Sequence, residues 1–293
     1  MKLIIKLYNS LEWRINQKIF YKIISFFSQS TFSTIAKLRS QSDDGNYVRV
    51  LKKISENEHF FNNFKKNIFY RQILEHTTKI QGNEYLKKIT EDNPILINEI
   101  ETFKDNDLIG NPNLSNYPTI GDISPTTLRY LKVASDLKTI FKGNIGENIC
   151  EIGAGYGGQF LILDKIFKIK RYNIFDLKAA TLLIEKYLES FLLNSSYECG
   201  TLNKCSFDNE FDLVVSNYAF SEIEKTMQIK YIEKILSKSK RGYLTMNSGK
   251  EKSEFRDKHL TLKELEKLLP KFEVLDEKPL IWEDNYIIVW GRN

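Results

Sequence analysis

Two acidic residues bracket a glycine-rich stretch at the spacing of a nucleotide site. Glu151 stands two residues before Gly153, and Asp176 follows Gly153, Gly155, Gly157 and Gly158 by about twenty residues. Glycines in such a turn let backbone amides approach a ligand, and the helix that follows adds the positive end of its dipole. An acid at the tip of the next strand would accept both hydroxyls of a ribose. A second group, Asn217, Tyr218, Ser221 and Glu222, closes an apolar run further on. Glu222 is the first candidate there for taking a proton from a substrate, with Asp122 and His259 in flanking loops as alternatives. No metal is expected: no D-D or H-x-x-H type pair near the strand ends makes that case, and Cys150, Cys199 and Cys205 lack C-x-x-C spacing, which also argues for a reducing compartment.

The glycines satisfy two patterns at once. Gly153, Gly155 and Gly158 fit G-x-G-x-x-G, the dinucleotide fingerprint, whereas Glu151 to Gly157 fits E-x-G-x-G-x-G, the nucleotide loop of S-adenosylmethionine (SAM) enzymes. The acid decides between them. A carboxylate two residues ahead of the turn would repel a pyrophosphate, and it suits a cofactor bearing an ammonium and a sulfonium. SAM is therefore the expected cofactor, with contacts at Glu151, Gly153, Ala154, Gly155, Tyr156, Gly157, Asp176, Leu177 and Asn217. The sulfonium is already a good electrophile, so catalysis needs an acceptor atom about 3 Å from the methyl carbon and a base for its proton.

The elements that must position these residues are legible as an α/β order. Ile149–Ile152 reads as a buried strand, Gly158 opens a helix, and Arg171–Phe175 is a strand ending at Asp176. Leu177–Leu193 reads as a helix, Ser196–Cys199 as a weak third strand, and Phe211–Asn217 as a strong fourth. A helix at Ile223–Leu236, a strand at Arg241–Asn247 and a helix ended by Pro270 follow. Phe272–Asp276 and Tyr286–Trp290 close the chain as an antiparallel hairpin. Ahead of the sheet, Ser124 and Pro125 are the cap and first position of a helix over Thr126–Phe141. Asp107–Asp122 is dense in turn residues and is read as a loop carrying the boundary between an N-terminal helical region, 1–120, and a SAM-binding domain, 121–293. The helical region and the loop are expected to recognise the acceptor, because sheet and glycine loop are committed to the cofactor.

The chain has 293 residues, 42% hydrophobic and 28% charged, which describes a folded protein. Its net charge of +5, with no arginine-rich block, gives no case for nucleic-acid binding. Residues 1–40 alternate apolar runs with Lys2, Lys6, Arg14, Lys18 and Lys22. No stretch there reaches the ~20 apolar residues that span a bilayer, and none reads as a signal peptide. Two readings stay open: a basic amphipathic segment lying on the inner face of the membrane, or an apolar face packed on the protein or on a second subunit of a homo-oligomer. His59 and His76 lack a second ligand at metal-binding spacing and are left unassigned.

From about Ile120 onward the sequence resembles the class I SAM-dependent methyltransferases. Ile123-Ser-Pro-Thr-Thr-Leu-Arg-Tyr130, Cys150-Glu-Ile-Gly-Ala-Gly-Tyr-Gly-Gly-Gln159 and Phe211-Asp-Leu-Val-Val-Ser-Asn-Tyr-Ala-Phe-Ser-Glu222 are similar to the sugar O-methyltransferases of bacterial capsule and O-antigen gene clusters. The resemblance implies a Rossmann-like sheet of seven strands with a terminal antiparallel hairpin. It also implies a cytoplasmic enzyme that transfers a methyl group to a hydroxyl of a sugar or nucleotide sugar during surface polysaccharide biosynthesis. Methylation of a nitrogen, and a non-catalytic subunit of the same fold, are the competing readings. The intact Glu151, glycines and Asp176 count against the second.

Overall fold

The computed structural model describes residues 45–203, 210–250, 258–281 and 285–292. The readings made for residues 1–40, and Cys205, lie outside these. Nine strands occur among the described residues, and seven of them form one sheet in the order β5-β4-β3-β6-β7-β9-β8. These are β3 (Asn148–Ile152), β4 (Arg171–Phe175), β5 (Ser196–Gly200), β6 (Leu213–Asn217), β7 (Gly242–Met246), β8 (Glu273–Asp276) and β9 (Tyr286–Trp290). The first five run parallel, and β9 pairs antiparallel with β7 and with β8. This is the expected α/β sheet with its terminal hairpin.

Continuous apolar runs make β3, β6, β7 and β9 central, because a parallel strand covered on both faces must be apolar throughout. All five residues of β7 and of β9 are buried. Helices α5 (Gly158–Ile166), α6 (Lys178–Leu188) and α8 (Lys225–Lys234) make the crossovers. Before the sheet come α1 (Gly45–Glu56), α2 (Ile68–Ile73), α3 (Lys79–Asp92) and α4 (Pro125–Ile140). The Ser124 side chain accepts from the Thr126 amide at 3.2 Å and Pro125 opens α4, as the sequence foretold. Asn93, at the end of α3, ties that helix to α4 by donating to the Ser135 and Thr139 hydroxyls at 2.8 and 2.9 Å.

The accessory helices do not form a separate core. Leu51, Phe64, Tyr70, Tyr85, Ile89 and Phe103 share one apolar cluster with Ile149, Phe160 and Leu183 of the sheet region, so packing marks no break near residue 120. At its centre Lys65 is fully buried among the rings of Tyr156, at 4.3 Å, and Tyr187, at 5.2 Å. Its ammonium also donates to the Asn106 carbonyl. Burial pulls this lysine down to about 8, and the ring faces and the carbonyl compensate its charge.

Three local readings need correction. The stretch read as a loop before residue 122 contains a small hairpin, β1 (Ser115–Tyr117) with β2 (Gly121–Ile123), whose three-residue strands are too short to show a period. The helix expected over Ile223–Leu236 is present but shorter, as α8 (Lys225–Lys234), and a separate four-residue helix not read from the sequence, α7 (Ala219–Glu222), precedes it, with Ile223 extended between the two. The helix expected to reach Leu193 ends at Leu188. Asp164 takes the amides of Asn194 and Ser195, at 2.8 and 3.0 Å, and thereby pulls the chain down toward β5.

Candidate active site

Parallel pairing of β3 with β4 sets Ile152 beside Phe175, so the glycine turn and Asp176 emerge side by side at the carboxyl edge of the sheet. In open α/β sheets that edge is where ligands bind. Gly153 has φ +76°, and a Cβ there would stand 2.0 Å from that of Ala219 on α7, so the turn can pass only without a side chain. Gly155 has φ +65°, and its amide donates to Asp176 Oδ2 at 3.1 Å. The other carboxylate oxygen accepts from the Leu177 amide at 2.7 Å. Burial raises Asp176 to about 6, against the pull of the Leu177, Gly155 and Ala154 amides. The carboxylate is thus fixed in orientation before any ligand arrives. A cradle closed to any Cβ, flanked by an oriented acid, fits the nucleoside part of SAM.

Glu151 bonds to a side chain on the neighbouring strand β4. It is 1% exposed, and its Oε2 accepts from the Tyr172 hydroxyl at 2.8 Å. Burial raises it to about 8, partly opposed by that hydrogen bond and reinforced by the Asp176 charge. The folded protein holds this proton more tightly than the unfolded chain, whose ordinary value is 4.5. The stability it contributes is therefore fully present below pH 4.5 and lost as the pH rises through 8. Glu151→Gln, which keeps the shape, should melt close to wild type at pH 5 and higher than wild type by roughly 5 °C at pH 8.5. A melting-temperature gap that does not change with pH would contradict a neutral Glu151.

Tyr156 contributes backbone alone, since its ring is fully buried between Tyr130 and Tyr187 and its hydroxyl accepts from Asn106 Nδ2 at 3.1 Å. Ala154 is buried in the turn, and Leu177 stands 38% exposed beside Asp176. Asn217 ends β6 and donates to Gln159 Oε1 at 3.2 Å, which joins the fourth parallel strand of the chain order to the helix after the glycine turn.

Beyond Asn217 the backbone turns sharply, with Tyr218 at φ +67°, a strained position for a residue with a Cβ. Tyr218 helps line a narrow cleft whose wall also holds Tyr85, Arg129, Tyr130, Tyr243 and Glu277. The Tyr218 hydroxyl donates to the Glu277 carboxylate, which also accepts from Asn285 Nδ2 at 2.7 Å. Burial and the Glu277 charge hold the Tyr218 phenol well above its ordinary value, so it is neutral. Lys132, on the same wall, is neutralised by Asp136 at 2.6 Å.

The three expected bases fall in different places. Glu222 is half-buried on α7 and accepts from Asn247 Nδ2 at 2.8 Å; burial first, with Asp176, Tyr130 and Glu222 adding to it, holds the Tyr47 phenol well above its ordinary value. Asp122 is exposed on β2, where it accepts from Asn116 at 2.8 Å. His259 sits 3.0 Å from the Ile223 carbonyl, in the loop after β7. None of the three lines the cleft. Glu277, Arg129, Tyr85 and Tyr243 were not singled out from the sequence; Arg129 alone carried a signal, within the Ser124-Pro125 motif. Among the described residues no group of acids, histidines and cysteines could hold a metal ion, and no helix is long and apolar enough to cross a membrane.

No protein-family model and no curated protein sequence matches the chain. Solved structures resemble it distantly. A mitomycin 7-O-methyltransferase is 12% identical over 55% of this chain and 56% of its own, with a TM-score of 0.38, so the chain spans little more than half the length of that protein. A SAM-dependent methyltransferase from Clostridium acetobutylicum is 12% identical over 55% of this chain and 98% of its own, with a TM-score of 0.39. One from Aquifex aeolicus is 17% identical over 55% and 95%, with a TM-score of 0.36. At such scores the likenesses carry no argument about activity, which rests on the strand order and on the side chains themselves.

Proposed function

We propose that this chain binds SAM and transfers its methyl group to a sugar hydroxyl, in the assembly of a bacterial surface polysaccharide. The observation that carries the first half is the pairing of Asp176 with the Gly155 amide across β3 and β4, at the carboxyl edge of a sheet ordered β5-β4-β3-β6-β7-β9-β8. Asp176 accepts the ribose hydroxyls, the glycine turn admits the backbone close to the nucleoside, and Asn217 faces the reacting end. When bound, SAM supplies a methyl group on a positively charged sulfur.

The acceptor is assigned to the cleft beside Asn217. Aromatic faces of Tyr85, Tyr130, Tyr218 and Tyr243 suit the apolar faces of a sugar ring, with hydroxyls left at the edges for hydrogen bonds. A sugar hydroxyl does not ionise near neutrality, so it needs a proton acceptor as the new bond forms. Tyr218 and Glu277 provide one: the phenol oxygen accepts the proton while passing its own to the carboxylate. Glu222, on the Asp176 side, is the competing base. Support for a sugar comes from the three sequence stretches and from this aromatic lining.

Incubation with labelled SAM and a panel of free and nucleotide-activated hexoses, with the product's methyl position read by NMR, tests the acceptor. An O-methyl sugar is the expected product. Label transferred to amines and never to sugars would replace the oxygen reading by nitrogen methylation.

A further inference from the structure

Two buried groups of opposite charge near the glycine turn each carry an unbonded polar atom. Glu75, in the segment after α2, is 8% exposed and its Oε1 has no hydrogen-bond partner. Arg129, one turn into α4, has a buried Nε in the same condition. The charge of buried Lys65 reaches Glu75 most strongly and that of Arg129 less so, yet Glu75 Oε1 and Arg129 Nε remain unbonded. Each is otherwise well anchored. The Thr126 hydroxyl supports the Glu75 carboxylate, and Arg129 Nη2 donates to the Leu74 carbonyl at 3.1 Å. Leu74 lies against the glycine turn, since a Cβ on Gly155 would meet its Cδ1 at 2.7 Å. Arg129 also lines the cleft with Asn217.

A buried charged atom without a partner costs stability, and such atoms persist where a ligand supplies what is missing. The missing ligand must carry a carboxylate for the guanidinium and a cationic donor for the carboxylate, a short distance apart. An α-amino acid has that arrangement. Across the carboxyl edge Asp176 lies at β4, the glycine turn at β3, and Arg129 beside Asn217 of β6. A cofactor with its ribose on Asp176 therefore extends its other end toward Arg129.

We propose that Glu75 and Arg129 are the two poles of a clamp for the amino-acid end of SAM, Arg129 taking the carboxylate and Glu75 the ammonium. The proposal rests on the SAM reading and assigns a cofactor role to the accessory helical region, outside the sheet and the glycine turn.

Calorimetry with three probes separates the possibilities: S-adenosylhomocysteine, its decarboxylated analogue, and 5′-methylthioadenosine, which lacks the amino-acid end. Glu75→Gln and Arg129→Gln should each weaken S-adenosylhomocysteine by about tenfold or more and leave 5′-methylthioadenosine unchanged. The Arg129→Gln effect should vanish with the decarboxylated analogue, whereas the Glu75→Gln effect should persist. Arg129→Lys, which keeps the charge, provides a second variant should Arg129→Gln not fold, and should weaken S-adenosylhomocysteine selectively. Variants that bind all three probes as wild type, or that lose all three equally, would overturn the clamp. A wild-type protein that binds none of them would instead refute the SAM reading.

Discussion

Asp176→Ala lowers the affinity for S-adenosylhomocysteine by roughly thirtyfold to a thousandfold, the loss of two hydrogen bonds to a charged acceptor worth about 2–4 kcal/mol. The size of the effect follows from preorganisation: the Gly155 and Leu177 amides already hold both carboxylate oxygens in place, so the ribose hydroxyls meet an acceptor that needs no reordering. The fold should survive, because Asp176 stands at a strand end, only partly buried, and outside the apolar clusters. A pH series gives the same carboxylate a second signature. Burial raises Asp176 to about 6, so the affinity of the wild type should weaken as the pH falls through 6, and Asp176→Ala should lose that dependence. Full affinity in the variant would remove Asp176 from the site.

The second large effect concerns the proton. Tyr218→Phe keeps the ring and removes the hydroxyl that bonds Glu277, so turnover should fall by roughly 10²- to 10⁴-fold with S-adenosylhomocysteine affinity unchanged. Glu222→Gln should cost far less, because its carboxylate is engaged by Asn247 and lies outside the cleft. The reverse ranking would return the base to Glu222. If Tyr218→Phe and Glu222→Gln are both fully active, neither group takes the proton.

The cofactor half of this site was legible because it is local. Glu151, the glycines and Asp176 fall within one β-α-β unit, where a fixed register converts sequence spacing into spatial position. Even there, the role of Glu151 needed the structure: its bond to Tyr172 depends on β3 and β4 lying side by side, and only burial shows that it is held neutral. The acceptor half is assembled over long separations. Tyr85 comes from α3, Arg129 from α4, Tyr218 from the turn after β6 and Glu277 from the end of β8, and no spacing rule connects them. Glu75 resembled any surface glutamate until the packing of Leu74 on Gly155 placed it beside the glycine turn. The left-handed Tyr218 and the extended Ile223 on either side of the short α7 carried no sequence signal either, and they reshape the chain next to the cleft.

Titration of the wild-type protein with S-adenosylhomocysteine, run beside NAD under the same conditions, tests the central claim most directly. Saturable one-to-one binding of S-adenosylhomocysteine, abolished or sharply weakened in Asp176→Ala, with no binding of NAD, is the predicted result. Binding of NAD with no response to S-adenosylhomocysteine would contradict it, because the glycine turn would then hold a pyrophosphate.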